Sequence, residues 1–124
     1  MTTEDLFESF RKTFPAIAEG TDVLHHQTWD VFEPGSEYLW FESLAKYLNA
    51  TMNKELSVRT AGDVFEFMRH HYHTGGSAVR DCIDTSFVEN LFWQVPGEIS
   101  EKYWQRLPNV LQERYIAFHG RAPV

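Results

Sequence analysis

Wherever this chain carries a long apolar segment, the apolar residues recur at helical spacing, and no segment alternates with the period of two that a half-buried strand requires. Tyr38, Phe41, Ala45, Leu48 and Met52 fall at i, i+3, i+7 on one helical face, with Ser36 ahead of them as a capping residue. Ala61, Val64, Phe65, Met68 and Tyr72 form a second stripe. The pair Thr60 and Asp63 is placed there as a capping box, and Gly75-Gly76 end the helix with Gly75 as its left-handed residue. A third stripe, Val79, Ile83, Phe87 and Leu91, starts at Ser77. Because Val88 and Phe92 lie off that stripe, the run "FVENLFWQV" is apolar nearly all round, and this helix is expected to be central.

The ends of the chain follow the same rule. Leu6, Phe7, Phe10 and Phe14 make a short first helix, with Thr3 as its capping residue and Glu4 and Asp5 in the first turn, that stops at Pro15. Pro96-Gly97 mark a turn, Ser100 starts a helix through Tyr103, Trp104 and Leu107, Pro108 forces a restart, and Leu111, Tyr115 and Phe118 line the last helix. Between Pro15 and Gly35 there are turn formers and no sustained period. That stretch is expected to be a long, irregular, acidic connection with at most a helical turn around residues 23 to 32. The expectation is an all-α fold: one domain, residues 1–124, built as a bundle of about five or six helices.

A single cysteine, Cys82, leaves no intrachain disulfide, and no N-terminal apolar run resembles a signal peptide or membrane span, so the expected location is the cytoplasm. Asn49-Ala50-Thr51 matches a glycosylation acceptor, which carries no weight without a secretory signal. The charge is more telling. Residues 1–42 hold nine acids against Arg11 and Lys12, a net −7, whereas the rest of the chain holds nine acids and nine bases. An acidic domain of this kind repels nucleic acid and anionic membrane, and its natural complement is a basic protein.

The same region interleaves aromatic residues with the acids in "TWDVFEPGSEYLWFE". Aromatic anchors bordered by charge are typical of interface hot spots, so the candidate partner-binding residues are Asp22, Trp29, Asp30, Glu33, Glu37, Trp40, Glu42 and Tyr47. Trp40 and Tyr47 lie off the main stripe of their helix. They are either exposed anchors or a second core face beneath the preceding segment, and the acids are expected to be exposed in both cases.

Three of the six histidines stand together in "MRHHYHTGG". On a helix His70 and His73 project away from the apolar stripe beside Glu66, and His71 sits at its edge. A pair of imidazoles and one carboxylate fall short of a zinc site. Imidazolium in the last helical turn has a sufficient role in meeting the exposed carbonyls, so no metal and no cofactor are expected. His25-His26 lie in the segment expected to be irregular. Cys82 is expected to be a buried inert thiol and Asn90 a polar hydrogen bonder within the core. No nucleophile elbow, dinucleotide fingerprint or phosphate loop is present, and the chain is expected not to be an enzyme.

Small size, acidity, helical periodicity and the absence of a catalytic motif together resemble the immunity proteins of bacterial toxin systems, including contact-dependent inhibition and related polymorphic toxins. The stretch "SFVENLFWQV" is similar in style to small helical domains found beside such toxins. The resemblance implies a stoichiometric inhibitor that occludes the active site of a cognate toxin domain with a basic surface, such as a nuclease or nucleotide-directed toxin. The alternatives are an acidic adaptor domain and a metal- or ligand-binding enzyme.

Overall fold

Thr2 caps the first helix, α1 (Thr3–Thr13). Its hydroxyl accepts from the Asp5 amide at 3.0 Å and the Asp5 carboxylate accepts from the Thr2 amide at 2.9 Å, so two end groups of the helix are satisfied reciprocally. The cap is therefore Thr2 and not Thr3, which is the first helical residue. The computed structural model describes residues 1–124 and contains helices without strands. Seven α-helices are present where five or six were expected.

The additional helix is α2 (Pro15–Trp29), which replaces most of the irregular connection expected from Pro15 to Gly35. Pro15 ends α1 because it has no amide proton to donate back. For the same reason it fits the first turn of the next helix, where that proton would have no partner. The buried residues of α2 are Ala18, Thr21 and His25, at i, i+3 and i+7. Its buried face has helical spacing but no large apolar side chain, so hydrophobic periodicity could not reveal it. Gly20 on the same helix leaves room for the ring of Tyr47 from the next helix, since a Cβ there would lie 2.4 Å from it. The true connection is short, residues 30–36, and leads into α3 (Glu37–Met52).

Helix α4 (Val58–Thr74) begins before Thr60. Ser57 occupies the cap and accepts from the Thr60 amide at 3.3 Å, so the expected Thr60–Asp63 box is not formed. At its other end Gly75 is right-handed (φ −84°) and it is Gly76 that turns to positive φ (89°), reversing the assignment made from sequence. Helix α5 (Ser77–Cys82) then passes into a π-helical turn, Ile83–Phe87, and a 3-10 turn, Val88–Asn90. Ser77 is its first residue and makes no capping hydrogen bond. This element is central as expected, with Val79, Ile83, Phe87, Val88 and Leu91 all buried, but it stops at Asn90 and does not continue through the apolar run. Helices α6 (Gly97–Trp104) and α7 (Asn109–His119) start behind Pro96 and Pro108.

One apolar core joins residues from every α-helix. At its N-terminal side α1, α2 and α3 pack an aromatic nest in which Trp40 lies edge-on to Phe7, Phe10 and Phe41. Phe92, Trp104 and Tyr115 form a second, smaller aromatic triad. No helix is long and apolar enough to cross a membrane.

Candidate functional site

The antiparallel seam between α2 and α3 removes several of the sequence-derived contact residues from the surface. Trp40 is fully buried, and its indole N–H donates to Asp22 at 2.9 Å. The same carboxylate accepts both terminal nitrogens of Arg11 at 2.8 Å, the bidentate geometry that makes arginine–carboxylate pairs strong. Burial pushes the Asp22 carboxyl up, but the hydrogen bonds from Arg11 and Trp40 with the Arg11 charge outweigh it and hold the group below its ordinary value. Asp22 and Trp40 thus tie three helices together and are not free for a partner. Tyr47 is half-buried against Gly20.

The expectation that all the acids would be exposed also fails for two of them. Glu37 is buried in the first turn of α3, where a carboxylate meets the positive end of the helix. Glu42 is half-buried and ion-paired with Lys46 at 3.4 Å. Tyr38, placed on the buried face from sequence, is instead 38% exposed and donates its hydroxyl to Asp81 at 2.8 Å. Burial, followed by that hydrogen bond and the Asp81 charge, pushes its phenol up to about 12.

Trp29, Asp30 and Glu33 do come together. With Val31, Ser36, Leu39 and His25 they line a cleft of about 440 Å³ between the end of α2 and the start of α3. Trp29 is 45% and Val31 67% exposed, and neither acid has an ionic partner, unlike Asp22, Glu42, Glu66 and Asp84. Asp30 takes φ 73° with ψ −150°, a region outside the left-handed helical one that residues other than glycine rarely adopt, and its amide closes α2 on the His26 carbonyl at 3.2 Å.

His25 belongs to this cleft although only 1% of its surface is exposed. Its Nδ1 lies 2.8 Å from the Ser43 hydroxyl, and that hydroxyl donates its only proton to the Leu39 carbonyl at 3.1 Å. Both contacts are satisfied together in the tautomer whose Nδ1–H donates to Ser43. This tautomer leaves Nε2 as a lone-pair acceptor with no partner in the chain. Burial, then the charge of His26, lowers the His25 pKa, with Asp22 opposing, so the ring is neutral at pH 7.

The histidine-rich end of α4 is arranged differently. His70 and His73 are exposed, Glu66 is engaged by Arg69, and no group of three His, Cys, Asp or Glu side chains that could hold a metal forms anywhere in the chain. His71 is half-buried beside Phe67, and its Nδ1 has no hydrogen-bond partner. Burial, then the His70 charge, lowers its pKa. Cys82 is fully buried, and burial pushes its thiol up to about 12, the condition of an inert cysteine.

Asn90 is half-buried and donates to the Ser86 carbonyl. The polar residue that holds this part of the core is Asn49, considered from sequence only as a glycosylation acceptor. Asn49 is buried; it donates to the Asn90 carbonyl at 2.8 Å and accepts from the Phe92 amide at 2.7 Å. The clamp supports a strained turn in which Phe92 (φ 66°) and Gln94 (φ 58°) are both left-handed, a conformation costly for bulky residues. Between them Trp93 is held 65% exposed, in a shallow groove with Glu42 and Lys46. Sequence periodicity missed Trp93 because it continued the helix through it.

Across residues 7–120 the sequence matches the family described as Domain of unknown function (DUF7674). The chain belongs to this family. No curated protein and no solved structure matches the chain.

Proposed function

We propose that this chain is a cytoplasmic binding protein that takes a basic protein domain onto the cleft formed by Trp29, Asp30, Val31 and Glu33. In this proposal the partner is a cognate toxin domain that it neutralises by occluding the active site, as the resemblance to immunity proteins implies. The observation that carries the reading is a juxtaposition: of the acids in the first third of the chain that no cation of the same molecule matches, Asp30 and Glu33 line one cleft with an exposed tryptophan and valine. Unpaired surface charge steers an oppositely charged partner, and a partly exposed tryptophan at the same place gives it an anchor.

The test is to capture the partner from the native host with the purified chain as bait, identify it, assay its toxic activity with and without the chain, and measure association at two ionic strengths. The expected partner is basic and loses activity at a one-to-one ratio. Neutralising Asp30 and Glu33 is expected to slow association roughly 10-fold or more at low salt and to flatten its salt dependence. An association rate indifferent to salt and to both substitutions would refute the electrostatic basis of the proposal.

A further inference from the structure

We infer that the cleft at the end of α2 is a receptor for an arginine side chain, with His25 Nε2 as a neutral acceptor in its wall and Asp30 and Glu33 as counter-charges. The inference rests on the binding function proposed above and specifies which group of the partner enters the site. Its central observation is a buried imidazole with one nitrogen committed and one idle. Ser43 engages Nδ1, and in the Nδ1–H tautomer that satisfies both Ser43 contacts Nε2 is an acceptor without a partner in the chain, on a residue that lines the cleft. Nε2 is not sealed from solvent as His71 Nδ1 is, so a ligand donor entering the cleft can take the place of water on it.

The surroundings select the donor. Two unpaired carboxylates exclude an anion and favour a cation. A bare metal ion is disfavoured because no three ligating side chains converge, and about 440 Å³ is space for a side chain. Among side-chain cations the guanidinium fits this wall better than the ammonium. Its planar fork can donate to the imidazole and a carboxylate at once, and its face can lie on the half-exposed Trp29 ring. The charged groups around His25 are Asp22 and His26 on α2 with Asp30 and Glu33 on the connection, while α3 presents the Ser43 hydroxyl and Leu39. Protonation of Nε2 at low pH would turn the acceptor into a competing cation and expel the ligand.

The experiment uses the full chain labelled with ¹⁵N at histidine and tryptophan, titrated with N-acetyl-arginine amide and followed by NMR at the imidazole and indole nitrogens. Saturable shifts are expected at His25 Nε2 and the Trp29 indole, with affinity falling over the same acid range in which the His25 nitrogen shifts report protonation of the ring. N-acetyl-citrulline amide, which keeps the shape and lacks the charge, and N-acetyl-lysine amide should bind at least ~5-fold more weakly. The double variant Asp30→Asn/Glu33→Gln, both at exposed positions, should fold normally and weaken the arginine probe by a similar factor.

Absence of saturable shifts at His25 and Trp29, or equal binding of citrulline or lysine probes, would overturn the inference. So would unchanged affinity in the double variant. If the probe fails while the captured partner still associates at a rate dependent on Asp30 and Glu33, the arginine assignment is wrong and the binding function stands. If the probe binds as expected and no basic partner is captured, the receptor stands and the toxin reading falls.

Discussion

Trp29 and Trp40 belong to one acidic, aromatic stretch of sequence and meet opposite fates in the fold. Trp40 is fully buried among Phe7, Phe10 and Phe41 with its indole N–H satisfied by Asp22, whereas Trp29 is 45% exposed beside the unpaired Asp30 and Glu33. Their acids divide in the same way: Asp22 is spent on Arg11 inside the molecule, and Asp30 and Glu33 are left for something outside it. The difference teaches that composition marks a region as interface-like without saying which of its residues face outward. That depends on which neighbouring segment covers them, and here the covering segment is α2.

Replacing each tryptophan by alanine is the sharpest way to break this comparison. Trp40→Ala should cost roughly 3 to 5 kcal/mol of folding stability in chemical denaturation, since a large buried ring is lost. A loss below about 1 kcal/mol would place that ring outside the core. Trp29→Ala should change stability by less than about 0.5 kcal/mol and instead speed dissociation of the captured partner, costing on the order of 2 kcal/mol of binding. If both variants behaved alike, the division between seam and cleft would be wrong.

Asp22→Ala tests the seam from its polar side. It deprives a buried indole N–H and a bidentate guanidinium of their acceptor, so a loss of roughly 1 to 3 kcal/mol is expected, again without a direct effect on binding. Titration separates the seam from the buried histidines. Because the folded pKa values of His25 and His71 are lowered, the unfolded chain takes up protons that the folded chain resists once pH drops below about 6.5. Stability should therefore be fully present above that pH and decline as pH falls from it toward the lower folded values. The contribution of Asp22, whose folded pKa is also lowered, is lost only at more acidic pH, in the carboxylate range. Thermal melts across pH 7 to 3 should show the histidine loss first, and stability that stays flat down to pH 5 would contradict the burial of both rings.

The smallest effect is expected where the sequence is densest in histidine. Replacing both His70 and His73 by alanine should leave stability within about 0.5 kcal/mol and partner binding unchanged, because both face solvent and Glu66 is held by Arg69. Bound zinc present in the native protein and lost in this double variant would reverse that assignment.

Much of the candidate site was outside the reach of sequence for a specific reason. Helix α2 buries Ala18, Thr21 and His25, so its inward face looks like a turn-rich connection, and with the helix unseen neither the cover over Trp40 nor the position of His25 could be derived. Asp30 and Glu33 were legible as surface acids because they fall in the part of the expected connection that the fold keeps as one, residues 30–36. Trp93 was not legible, since its exposure depends on a helix that ends early through a π-helical turn and on the distant Asn49 clamp.

The sequence by itself determined the helical class, the faces of α1, α3, α4 and the central element, and the acidity of the first third, because periodicity and charge are properties of residues near one another in the chain. Tertiary structure alone decided which of those acids are neutralised from within, which tryptophan is a core residue, and which histidine keeps a free nitrogen. Those outcomes depend on pairings such as Arg11 with Asp22, Gly20 with Tyr47 and His25 with Ser43. Each joins residues on different helices, and hydrogen bonding and burial act on distance in space, where local spacing carries no information.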